Sequence, residues 1–282
     1  MSEKDAVTSH DEVPAMTSLF RTTLCAAFAA VLFASATVAQ EGEKPTAKPD
    51  PEIGKKVKQL GEASRDPKFA RDEEAKNLID ELLQVYPTLH EKDQAAFRGA
   101  LGDVFGGKKR KLDNPGLYRA AAYALGTIGG PEAGKILVGV LGSDPYGSRD
   151  WLSFQEDLYE NIGRTKDEKQ VSLLVKAATR EPEDQVKRAA GKALRHFEDL
   201  PLAKRREIFK DLLTNYGEIE SQANANVDPS DANVATRKRT LAAIRDAWNG
   251  TLSAMSGGNC GTSMEWYKWY SDNKGSDKGW KK

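Results

Sequence analysis

The chain has 282 residues, 30% of them charged and 39% hydrophobic, which fits an ordinary globular protein and excludes a wholly disordered or membrane-embedded one. Basic and acidic residues balance at 42 each, so no basic surplus points to nucleic acid as a partner.

In chain order the first distinct segment is LCAAFAAVLFASATVA, Leu24 to Ala39, sixteen residues without a charge, preceded by Arg21 and followed by a polar run. That layout predicts a secretory signal peptide over residues 1–39, cleaved after Ala39, because the apolar run is shorter than the ~20 residues of a spanning helix and ends in small residues. The acidic leader before Met16 fits a signal peptide poorly, so Met16 is the better start. Cys25 follows TTL, a poor lipobox, and leaves with the signal. Cleavage removes two bases and four acids, leaving 40 basic and 38 acidic residues and Cys260 as the one cysteine. The mature chain is expected to be periplasmic or secreted, without an internal disulfide and without a membrane span.

Residues 40–51 read as a flexible linker, 52–273 as one helical domain and 274–282 as a flexible tail holding Trp280. Helix starts are marked by three candidate capping boxes, Thr88 with Glu91, Thr165 with Glu168 and Thr262 with Glu265. Asp66-Pro67, Asn114-Pro115 and Asp228-Pro229 each place an acceptor before a ring preset for a first helical turn. No alternating β-branched run competes, so the fold is predicted to be all-α.

The helices recur. In LYRAAAYALGTIGG the residues Leu117, Ala121, Leu125 and Ile128 form one apolar stripe, Gly129-Gly130 ends it, and PEAGKILVGVLG follows as a second helix. Leu125 and Ile128 return as Tyr159 and Ile162 after 34 residues, as Leu194 and Phe197 after 35, and as Ile244 and Ala247 after 50. The polar insert at residues 221–233 accounts for the longer last step and reads as a loop. Five two-helix units are expected, at about 68–106, 115–142, 148–178, 183–216 and 229–273. LYRAAAYALGTIGGPEAGKILVGVLG and VKRAAGKALRHFEDLPLAKRREIFKDLL resemble HEAT repeats of the armadillo type, with an alanine-rich first helix, a break, and a second helix of clustered aliphatics. The third unit departs from that pattern at Trp151 and Phe154. The resemblance implies an α-solenoid, a right-handed superhelix in which each pair buries its stripe against its neighbours, and brings no catalytic residues.

Residues able to carry chemistry are few. His90 and His196 remain after cleavage, and the latter suits the negative end of a helix. Neither a Cys/His cage nor HExxH, GxSxG or a phosphate-binding GxxxxGK[ST] is present, so no metal, cofactor or catalysis is expected. Glu181, Glu183 and Asp184 read as charges favouring a helix N-terminus, and Asn249-Gly250-Thr251 as a common sequon. Two segments are candidate binding surfaces. Lys108, Lys109, Arg110 and Lys111 form a cationic loop, open to an acidic partner or simply solvated. Trp266, Trp269 and Tyr270 share a helical face that either caps the last repeat or serves as a protein or glycan platform. The function expected is an exported scaffold that binds another protein. An envelope-glycan module and a repeat-built enzyme using carboxylates alone are the alternatives.

Overall fold

The structure, a computed structural model, describes residues 48–112, 114–225 and 232–281. The chain divides into units Met1–Glu41 and Gly42–Lys282, and all described residues belong to the second. The signal segment and Asp228-Pro229 lie outside them.

Every regular element among the described residues is helical. The chain opens with α1 (Pro51–Ser64), α2 (Asp72–Val85) and α3 (Glu91–Gly106). It continues with α4 (Gly116–Ile128), α5 (Gly130–Leu141), α6 (Leu152–Arg164) and α7 (Val171–Arg180). Next come α8 (Asp184–Ala193), prolonged by a 3-10 turn at Leu194–Phe197, then α9 (Leu202–Asn224), α10 (Ala232–Ser256) and α11 (Ser263–Asn273). None of them is long and apolar enough to cross a membrane.

Caps explain several starts, though not all those the sequence suggests. Thr262 and Glu265 form the expected reciprocal box at α11. The Asp–Pro device works at Asp50-Pro51, where Asp50 accepts from the Glu52 amide. Thr88 instead donates to the Val85 carbonyl, and His90 caps α3 by accepting from the Lys92 amide. Thr165 closes α6, while Asp167 caps the short turn that follows. Asp66 gathers the Lys68, Ala70 and Arg71 amides in a turn six residues ahead of α2, and these bonds, led by that from Lys68, hold its pKa below the ordinary carboxylate value. Gly129 and Gly130, at φ 73° and 81°, reverse the chain between α4 and α5 in a conformation that costs glycine little. The expected loop at 221–233 is shorter than its composition suggests, because α9 runs to Asn224 with Ala223 fully buried.

The helices pack in an ordered way. Along one row α2 touches α4, α4 touches α6, α6 touches α8 and α8 touches α10. In a second set α3 meets α5, α7 meets α9 and α9 meets α11, while α1 covers α2 and α3. Apart from Leu89 and Val234, the buried apolar side chains among the described residues form one cluster that runs from Leu60 to Trp280. Trp151 and Phe154 join Phe105, Tyr118 and Tyr146 in an aromatic nest, with Tyr118 and Tyr146 edge to face at 5.2 Å. Large rings stand there because the space between α3, α4 and α6 is filled by aromatic edges rather than by methyl groups.

Candidate functional site

Three groups of side chains invite a functional reading. The first is the cationic loop between α3 and α4. Lys108 donates to the Pro67 carbonyl, and Lys109 donates to the Phe105 carbonyl while lying over the Tyr146 ring at 4.7 Å. Arg110 is 3% exposed: its Nε and Nη2 grip both oxygens of Asp72 at 2.8 and 2.7 Å, and Nη2 also reaches the Ser64 carbonyl. Phe69 and Tyr118 sandwich the guanidinium at 5.0 and 5.2 Å. Burial disfavours the Arg110 charge, and the hydrogen bonds and charge of Asp72 more than offset it, so its pKa is raised. Lys111 alone of the four is exposed without such a fastening among the bonds described. The run is therefore mainly a clasp between α1, α2 and the aromatic nest, with its central cation spent inside the fold.

The second group is aromatic. Trp266, Trp269 and Tyr270 do share a face of α11, and that face turns inward onto Phe209 of α9. Trp266 is fully buried and its indole N–H donates to Asn249 Oδ1 at 2.8 Å. Tyr270 stacks on Phe209 at 5.6 Å. Residues 274–281 are not the loose tail their composition suggests. Trp280 is 4% exposed and edge to face with Trp269 at 5.0 Å, an anchor that a lone tryptophan in a polar run does not advertise. Asn249 also donates to the Gly261 carbonyl, and Thr251 is buried against the Gly191 carbonyl, so the sequon residues are engaged in packing.

The third group is an ion-pair ladder along the α4–α6–α8–α10 row, of which the sequence singles out only His196 and Asp184, each for a place at a helix end. Arg119 pairs with Asp157, Arg188 with Glu156, and Arg239 with Asp184. At its centre Glu160 Oε1 accepts from Arg195 and His196 at 2.8 and 2.9 Å, with Lys192 at 3.7 Å from Oε2. Burial raises the Glu160 pKa, but the His196 bond and the Lys192, Arg195 and His196 charges outweigh it and hold the carboxyl down to about 2. The signal was present: Glu156 and Glu160 are one turn apart on α6, as Arg188 and Lys192 are on α8, 32 residues further on and so within one helical turn of the 35-residue step from Tyr159 to Leu194.

Among the described residues no three of His, Cys, Asp and Glu stand close enough to hold a metal ion. A groove of about 340 Å³ runs between α7 and α9, with Val171, Val175 and Ile208 in its walls and Glu168 and Lys204 paired across it. The chain matches no protein-family model, no curated protein and no solved structure.

Proposed function

We propose that the mature chain is an exported α-solenoid of five HEAT-like two-helix repeats, wound as a right-handed superhelix, that binds another protein in the periplasm or cell envelope and performs no catalysis. The observation that carries this reading is the order of the packing. The five expected spans, the last four of which carry the recurring stripe, each correspond to one consecutive pair of helices in the chain, α2–α3 through α10–α11, and the first members of the pairs touch in sequence. The register residues support it too: Leu125, Tyr159, Leu194 and Ile244 are buried on α4, α6, the α8 extension and α10. A stack of this kind offers long helix-lined surfaces, and the chain's acidic groups in the ladder are held in ion pairs rather than set toward a substrate. The glycan platform receives less support, since Trp266 is buried and Trp269 and Tyr270 are half-buried against α9.

The test is photo-crosslinking in the native cells, with a photoreactive residue at exposed Tyr123 on the α4 row and another at exposed Lys176 on α7. A discrete protein adduct from one position, on a species whose N-terminus begins at Gln40, is the expected result. Retention of the chain in the cytoplasm, or adducts at neither position, would overturn the scaffold reading.

A further inference from the structure

The last residues of the chain occupy a site built to receive them. Residues 274–279 are exposed throughout, and Trp280 alone is buried. Its ring enters a pocket walled by Trp269, Phe209 and Tyr270, at centroid distances of 5.0, 5.2 and 6.3 Å, with the Arg206 guanidinium 5.2 Å from the ring centre. The indole N–H donates to the Asn273 carbonyl at 3.1 Å. The next residue is held through its backbone and through its ammonium, which pairs with Glu198. The Lys281 amide donates to the Ser256 carbonyl at 2.7 Å, and the Lys281 carbonyl accepts from Arg205 Nη2 at 2.7 Å. Arg205 is 6% exposed, and its Nε and Nη1 donate to the Leu200 and Met255 carbonyls, so two of its three nitrogens are held by groups outside the tail.

Several contacts that shape the pocket do not involve its occupant. Trp266 packs edge to face on Phe209 at 5.7 Å and Tyr270 stacks on the same ring. The start of α11 is secured by the Thr262–Glu265 box and by Glu220, which accepts from the Ser263 amide. Withdrawing one indole therefore leaves an aromatic slot beside a donor and an acceptor placed for the backbone amide and carbonyl of one residue. An anchoring side-chain pocket with main-chain pairing beside it is how peptide-binding surfaces work.

We propose that this pocket is a recognition site for a peptide bearing tryptophan followed by lysine, closed in the resting chain by its own Trp280, and that the tail of a second copy is its ligand when that tail is released. The sequence that fits is the chain's own Trp280-Lys281, and every copy of the chain carries it. The inference stands whether or not the scaffold reading holds.

The experiment uses the full chain carrying Trp280→Ala and a fluorescein-labelled peptide of residues 274–282, followed by anisotropy. The peptide should bind the variant saturably and bind the unaltered chain, whose site is filled, roughly tenfold or more weakly. The same peptide with alanine in place of tryptophan should not bind. In the unaltered chain, the Lys281 amide should exchange hydrogen well ahead of the amides of α9 and α10, because release needs only local opening. A variant that melts cooperatively yet does not bind overturns the proposal, as does equal binding to both chains. So does a variant that fails to fold, or a Lys281 amide that exchanges only with the helix core, since the tail would then be a fixed cap.

Discussion

Gly191 on α8 is where the closeness of two helices can be tested most sharply. A Cβ added there would lie 2.1 Å from Trp248 Nε1 and 2.5 Å from Cδ1, in the side of a rigid ring that is itself fully buried on α10. Ordinary contact needs more than an ångström of retreat, and the indole cannot retreat without losing its 3.2 Å bond to the Lys187 carbonyl. Gly191→Ala gains about 1 kcal/mol of helix propensity, but overpacking costs about 1–3 kcal/mol and the lost hydrogen bond about 1 kcal/mol. Because the obstacle is a ring rather than a flexible tip, we expect a net loss of about 2 kcal/mol by urea denaturation. Gly99 of α3 is the control: an added Cβ there meets nothing within 4 Å, so Gly99→Ala should gain about 0.5–1 kcal/mol. If the loss comes from the clash, it should largely disappear when Gly191→Ala is made in a Trp248→Ala background. A Gly191→Ala chain as stable as the parent, or a loss unchanged in that background, would refute the close approach of α8 and α10.

Two further outcomes follow from buried charge. Asp72→Ala strands the Arg110 guanidinium at 3% exposure and should cost about 3–5 kcal/mol, whereas Lys111→Ala in the same loop should cost almost nothing; chemical denaturation distinguishes them. The Glu160 pKa is depressed from 4.5 to about 2, so its contribution is present above pH 4.5 and is lost as pH falls toward 2. That shift corresponds to about 3 kcal/mol. The stability gap between the parent and Glu160→Gln should therefore close across that interval, and a gap independent of pH would rule the linkage out.

The apolar stripe was legible because burial acts on local spacing: Leu125, Tyr159, Ile162, Leu194, Phe197 and Ile244 all lie inside. The Thr262 box was legible for the same reason, since both partners are three residues apart. Thr88 and Thr165 matched that spacing and failed, because a nearby side chain, His90 or Asp167, offered a competing acceptor two residues on. Arg110 looked like its neighbours since the partner that draws it inward, Asp72, lies 38 residues away. Trp280 was hidden in the same manner, its pocket residue Phe209 being far behind it in the chain. Long-range pairing of single polar or aromatic residues leaves no period to detect.

A net charge of zero suggests a chain without much electrostatic organisation, and the packing argues otherwise. Each step along the α4–α6–α8–α10 row carries one close approach and at least one ion pair. An added Cβ at Gly126 would meet Asn161 at 2.5 Å, at Gly163 the Ala193 carbonyl at 2.5 Å, and at Gly191 Trp248 at 2.1 Å. The same three interfaces carry Arg119–Asp157, Arg188–Glu156 with Arg195–Glu160, and Arg239–Asp184. Apart from the part-buried Glu160 cluster, these exposed pairs contribute at most about 1 kcal/mol each, too little to hold the row together. Their value lies in choosing neighbours: α6 presents acids to bases on both sides, so a wrong helix in either place meets like charge or none. The small residues then set how near the chosen neighbour comes, and the apolar stripe supplies the energy.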